Sequence, residues 1–254
     1  MTVVYYSQED PRWRNKPYTI DGDADETIGT SGCGPTSFAM VASTYLGKEI
    51  LPTEACQYAI KKGYRTANNG TAWSYFKNIS DAYGLQCIQT GSLGAVNVAL
   101  QEGKLVIASM GKGHFTGSGH FILLVGSKDG WIEVYDPNHD NNRYGSDGLI
   151  DQGTRNDGKV KARESVFRSE AKQYWIIYKE SEEEVTREEY EALIKRIEKL
   201  EHHVNISGNQ EPPEWAFEAI GAAKASGAIT TSNDKGTPEI KVIQMLYNLG
   251  IFKK

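Results

Sequence analysis

Apolar positions along the first 180 residues change period several times. Over 35–46 they read as a helix, with Pro35 near the first turn and Gly47 just past the end, the usual start and stop. Helices are likewise predicted over 53–62, 71–83 and 93–101. Between and after them come strand patterns, at 85–90, at 104–110 as a buried run, and at 121–127 and 131–135. The last two are joined through Lys128-Asp129-Gly130, and Asp-Gly is a favoured hairpin turn. A strand over 173–178 closes the domain. Helices first and antiparallel strands afterwards is the order of an α+β fold.

Beyond residue 180 the strand patterns stop and only helical ones remain, with the acidic stretch 180–184 at the join. This divides the chain into a domain over 1–180, a linker helix over 181–206 and a small all-α module over 207–254. Thr186-Arg187-Glu188-Glu189 is a capping box. After it, Tyr190, Leu193, Ile197, Leu200 and Val204 alternate at spacings of three and four, which is either a coiled-coil seam of about two heptads or the face of a helix packed on the first domain. Two further helices are predicted, 214–226 with Gly227 behind it and 238–249 capped by Thr237. The module is close to the limit of about 40 residues below which folding usually needs a metal, disulfides or a partner. A homo-oligomer held through 186–254 is therefore expected.

Composition narrows the function. Hydrophobic residues at 39% and charged residues at 24% belong to an ordinary globular chain, which excludes fibrous and disordered readings. Lys+Arg 28 against Asp+Glu 33 gives a net charge of −5, and no basic field exists to hold a nucleic acid. The longest strongly apolar run, 121–126, is far short of the roughly 20 residues that span a bilayer, so no membrane role is expected. The N-terminus lacks the basic and apolar regions of a secretory signal, and the chain is expected to accumulate where it is made. Its three cysteines, Cys33, Cys56 and Cys87, are odd in number with no CxxC spacing, which fits a reducing compartment and neither a disulfide framework nor a zinc site.

The chemistry gathers around Ser31-Gly32-Cys33-Gly34-Pro35-Thr36. A cysteine at a helix N-terminus meets unpaired N–H groups and the positive end of the macrodipole, which favour the thiolate. The flanking glycines would let a substrate backbone approach; the competing reading is a small core residue near a turn. A nucleophilic cysteine needs a base, and His120 stands at the mouth of the apolar strand that follows it. His114, in a Gly-rich loop, is the competitor, while His139, His202 and His203 are expected to face solvent. Asp136 ends the second hairpin strand, where strand pairing would bring it beside His120 as an orienting carboxylate; Asp-Pro alone would otherwise mark a turn. Gln8 offers a side-chain N–H for an oxyanion. The carboxylates Asp21, Asp23 and Asp25 alternate as in a calcium loop but lack its Gly and distal Glu, so a solvated acidic loop is the favoured reading. No cofactor is implied.

These residues together resemble the C39-like papain-fold cysteine peptidases. The likeness runs through Tyr6-Ser7-Gln8, the Ser-Gly-Cys-Gly-Pro-Thr block, Gly119-His120-Phe121 and Val134-Tyr135-Asp136-Pro137, in the family's order Gln, Cys, His, Asp. The resemblance implies a papain-like fold with Cys33 as nucleophile, His120 as base, Asp136 as orienter and Gln8 in the oxyanion hole. Residues 213–246 resemble a degenerate surface-layer-homology motif, a module that attaches proteins to bacterial walls. The layout is similar to that of phage endolysins, which wait in the host cytoplasm until released to the wall. That similarity implies bacterial peptidoglycan as the partner and an amide bond of its peptide part as the substrate. The alternatives are a cytoplasmic peptidase or transamidase acting on a protein or peptide, and a binding module on an inactive papain fold.

Overall fold

The structure is a computed structural model that describes residues 2–67, 70–180, 187–204, 211–233 and 235–252. It separates into two units, Met1–Ser181 and Glu182–Lys254. In the first, helices α1 (Ile28–Ser31), α2 (Cys33–Leu46) and α3 (Pro52–Lys61) lead to a short ribbon of β1 (Arg65–Thr66) and β2 (Gly70–Thr71), then to α4 (Ser74–Ala82). There follow β3 (Gln86–Thr90), α5 (Leu93–Gln101), β4 (Leu105–Met110), β5 (His120–Lys128) and β6 (Trp131–Tyr135). The unit ends with β7 (Ile150–Asp151), β8 (Lys159–Arg163), α6 (Glu164–Glu170) and β9 (Ala171–Tyr178). The main sheet is antiparallel, in the order β3-β9-β4-β5-β6-β8-β7.

Helices cover both faces of this sheet, and that explains the near-continuous apolar runs of its central strands. Every residue of β4 is buried. Alternate side chains divide between two cores: Leu105, Ile107, Phe121 and Leu123 pack with α2, α3 and α4, whereas Val106, Ala108, Ile122 and Leu124 pack with α5 and α6. On the α2 face Trp175 is fully buried, with its ring 4.5 Å from Phe76 and 5.9 Å from Phe121. The hairpin turn between β5 and β6 has Asp129 at φ 54° and Gly130 at φ 75°, the two positive φ angles that a type I′ turn requires.

Several element boundaries differ from the sequence pattern. The helix predicted from residue 71 starts at Ser74, because Thr71 pairs with Arg65 in the ribbon and its hydroxyl meets the Tyr18 hydroxyl at 2.7 Å. Helix α3 starts one residue early, at Pro52, where a missing N–H costs nothing. Not foreseen were α1, β1, β2, β7, β8 and α6, although Lys159–Arg163 alternates exposed Lys and Arg with buried Val160 and Ala162 as a half-buried strand should.

The second unit holds α7 (Arg187–Val204), a 3-10 turn at Glu214–Ala216, α8 (Phe217–Ala225) and α9 (Thr237–Asn248). Its core is small and alanine-rich: Ala216, Ala219, Ile220, Ala223, Ile240 and Ile243. Helix α9 begins at Thr237 rather than after it, with Gly236 as the N-cap and the Gly236 N–H donated to the Glu239 carboxylate at 2.7 Å. Thr186 of the capping box lies outside the described residues, as does the side chain of Val204. Among the described residues, no helix is long and apolar enough to cross a membrane.

Replacing Trp175 with Ala is expected to destabilise the first unit by about 3–5 kcal/mol, the usual cost of emptying a buried aromatic site. Urea unfolding followed by circular dichroism measures it, and a loss below about 1 kcal/mol would show that the site collapses without needing the indole.

Candidate active site

Cys33 is the first residue of α2, and Gly32 is its N-cap. Both neighbouring glycines are closely packed. A Cβ on Gly32 would lie 2.5 Å from the Ile28 carbonyl oxygen, and one on Gly34 would lie 3.2 Å from both the Phe121 ring and the Thr71 hydroxyl. The packing of α1 therefore excludes a side chain at Gly32, and Phe121 and Thr71 leave a tight fit for one at Gly34. From Gly34 to Ser43 the helix is buried, so Cys33 stands on a rigid support.

His120 opens β5, where it pairs with Met110 of β4. Asp136 follows β6 directly, and its N–H donates to the Gly158 carbonyl at 2.7 Å. The β5–β6 register brings the two side chains together, with His120 Nε2 2.6 Å from Asp136 Oδ1. The same ring lies close enough to the Cys33 sulfur for each group to shift the protonation of the other. Burial works against a charged imidazole, but the Asp136 charge and hydrogen bond, joined by Cys33, outweigh it and lift His120 to about 10. Burial likewise works against the thiolate. The His120 hydrogen bond and charge, with the backbone N–H groups of Phe121 and Gly34, overcome it and set Cys33 below its ordinary value. The arrangement favours a thiolate–imidazolium pair with a carboxylate behind it, chemistry that can attack an acyl carbon and return a proton.

Asp136 is fully buried, and both of its oxygens are occupied. Oδ1 accepts from His120 and from the Asn138 N–H at 2.9 Å; Oδ2 accepts from Asn141 Nδ2 at 3.0 Å and Tyr144 Oη at 2.9 Å. Asn141 and Tyr144 were not singled out from the sequence. The only available signal was indirect, since a buried carboxylate needs donors and the following segment carries them.

Gln8 is buried beside this group rather than in contact with its side chains. Its backbone N–H donates to the Pro137 carbonyl at 2.9 Å, and its Nε2 donates to the Gly29 carbonyl at 2.6 Å in the turn ahead of the nucleophile. The second hydrogen of that amide and the buried Oε1 have no hydrogen-bond partner among the described residues.

The other histidines lie apart from the sulfur. His114 is held between Glu170, at 2.5 Å from Nδ1, and Asp147, at 2.9 Å from Nε2. His139 faces solvent only in part: it is half-buried, with Nδ1 3.2 Å from the Ser7 hydroxyl and 3.0 Å from the Glu9 carboxylate, and Ser7 also donates to the Pro137 carbonyl. The side chains of His202 and His203 lie outside the described residues. In the acidic loop, the carboxylates of Asp21 and Asp23 accept the backbone N–H groups of Asp23 and Asp25, so they turn back on their own chain. Among the described residues, the group whose ligand atoms converge as a metal would need is instead Glu9, His139 and Asp140.

Cys33 and His120 open into a cleft of about 470 Å³. Its walls are mostly small, with Ser31, Gly70, Ser109, Ser118 and Gly119, and Trp73 is the one large aromatic at the rim beside Phe121. A nucleophile on a buried helix start, with its base and orienting acid on adjacent strands, defines a papain-type thiol hydrolase. The Peptidase_C39 like family matches residues 1–149, and the chain belongs to that family, which makes it a cysteine peptidase. Among solved structures it is similar to the peptidase domain of Streptococcus ComA, a bifunctional ABC transporter involved in quorum sensing, at 17% identity and TM-score 0.43, covering 59% of this chain and 93% of that one. A C39-like peptidase from Bacillus anthracis is 14% identical, with TM-score 0.45, over 71% of this chain and 96% of that one. A double-glycine-motif protease from an AMS/PCAT transporter is 19% identical, with TM-score 0.38, over 57% and 82%. No curated protein matches.

Burial pushes the Cys56 thiol well up and the Cys87 thiol up to about 11, so Cys33 is expected to be the thiol that iodoacetamide modifies near neutral pH. Resolved by mass spectrometry, its alkylation should have a midpoint below the usual thiol value of about 8.5. In His120→Ala the midpoint should rise above that value, because burial is then opposed only by the backbone N–H groups of Phe121 and Gly34. An unmoved midpoint in this variant would refute the ion pair.

Proposed function

We propose that the first unit hydrolyses an amide bond in the peptide part of bacterial peptidoglycan, in the manner of a phage endolysin, with Cys33, His120 and Asp136 as its machinery. The observation that carries the chemistry is the Cys33–His120–Asp136 alignment, closed by the 2.6 Å bond between the last two. The Cys33 thiolate attacks the carbonyl carbon, and the oxyanion is received by the free hydrogen of the Gln8 amide and the N–H groups at the start of α2. Imidazolium His120 gives its proton to the departing amine, leaving a thioester. Water, deprotonated by the now neutral His120, then cleaves the thioester and releases the acid and the thiolate. Asp136 keeps the ring aimed at sulfur throughout.

The choice of substrate is supported by the small residues of the cleft wall, which suit a peptide of short side chains, and by a second helical unit with a surface-layer-like pattern. Such an enzyme would act at the wall after release from the host cytoplasm. The second unit, on this reading, joins copies of the chain: Tyr190, Leu193, Ile197 and Leu200 are all exposed along α7, and Ile at one core position with Leu at the other favours two strands. Several weak wall contacts would then combine by avidity.

On zymograms of purified bacterial walls, Cys33→Ala and His120→Ala should leave no clearing, whereas Asp136→Asn should retain a trace, down by about 10³–10⁴-fold. His114→Ala should clear normally. If wild-type protein leaves walls untouched yet cleaves unstructured peptides, the peptidase reading stands and the wall is the wrong substrate. Light scattering should give a multimer for the full chain and a monomer for a version ending at Glu180; a monomeric full chain would overturn the joining role of α7.

A further inference from the structure

The geometry points to Tyr144 and Asn141 as positioning residues, which act on Cys33 through Asp136 and His120 by fixing the direction of the Asp136 carboxylate. Two bonds hold Oδ1 and two hold Oδ2, and those on Oδ2 come from these two side chains alone among the described residues. A carboxylate held at one oxygen still turns about its Cβ–Cγ bond, where sp³–sp² torsions are broad. Held at both, it presents one lone pair to His120 and the ring keeps its opposite edge on sulfur.

Each donor is itself fixed. Both hydrogens of the Asn141 amide are used, one on Asp136 and the other on the Phe115 carbonyl at 2.9 Å, while its oxygen accepts the Arg143 N–H at 3.0 Å. The amide therefore has one orientation, and it ties the loop before His120 to the acid behind it. Tyr144 is buried with its ring 5.7 Å from Phe115, nearly edge-on. Burial and the neighbouring Asp136 charge hold its phenol well above the ordinary value, so it stays a proton donor at every pH where the enzyme works. Donors that are neutral leave the carboxylate charge for the imidazolium, which a Lys or Arg in the same place would cancel.

This inference rests on the Cys33–His120–Asp136 reading but not on any substrate, and its test uses none. The pH midpoint of Cys33 alkylation by iodoacetamide is measured by mass spectrometry in Tyr144→Phe, Asn141→Asp, Asp136→Asn and the Tyr144→Phe/Asp136→Asn double variant. Tyr144→Phe keeps the ring and its packing and removes one bond to a charged group; it should raise the midpoint by about one pH unit. Asn141→Asp, which replaces a donor by a second carboxylate, should raise it at least as far. The double variant should match Asp136→Asn, because Tyr144 has nothing to position once the acid is gone. A midpoint unmoved in Tyr144→Phe, or shifts that add in the double variant, would overturn the positioning role. An unmoved midpoint in Asp136→Asn would instead overturn the underlying reading.

Discussion

A fully buried carboxylate cannot be left to water, and the need to satisfy Asp136 organises the catalytic end of the first unit. Its four side-chain bonds draw in the first residue of β5 and the segment 138–144. Its backbone does as much, since its carbonyl accepts from the Tyr5 hydroxyl at 2.8 Å and its N–H donates to Gly158. A side chain at Gly158, which also sits at φ 70°, would run into both the Tyr5 ring and that carbonyl. Beside it, Pro137 accepts from the Gln8 N–H and the Ser7 hydroxyl. The N-terminal segment thus reaches the site through the residues that surround Asp136, and Gln8 arrives near the nucleophile as a consequence.

The second constraint is the sheet that is covered on both faces. Because β4 and β5 are buried on either side, their register cannot slip without moving apolar side chains between two cores, so His120 is placed as firmly as the strand that carries it. On the α2 face the fit is tight enough that Phe121 lies against Gly34, one residue from the sulfur. The contact that seats the nucleophile's helix and the contact that seats the base's strand are the same contact. Electrostatics then follows from geometry: burial works against charge on both Cys33 and His120, and it is opposed at His120 chiefly by Asp136 and at Cys33 chiefly by His120.

The second unit works under a weaker constraint. Its core of alanines and three isoleucines is small, and it leaves Met245, Leu249 and Ile251 exposed along with the α7 seam. A unit of this size keeps little apolar area out of water, so its own core contributes far less to its stability than the covered sheet contributes to the first unit.

The order of the longer helices and strands, α2 to α5 with β3 to β6 and β9, the Asp-Gly hairpin and the candidates Cys33, His120, Asp136 and Gln8 were legible in the sequence, because each depends on local chemistry: period, turn residues, a cysteine at a helix start, a histidine at a strand mouth. The family resemblance rested on the same short segments. What the sequence could not decide involves residues distant along the chain. That the flanking glycines pack against Ile28, Thr71 and Phe121, that His139 is half-buried against Ser7 and Glu9, and that the helix after the ribbon starts at Ser74 all come from contacts made only when the sheet closes. Asn141 and Tyr144 show the reason most plainly. Nothing local distinguishes them from any loop Asn or Tyr, and they gain a role only because tertiary packing buries a carboxylate beside them and leaves its second oxygen in need of donors.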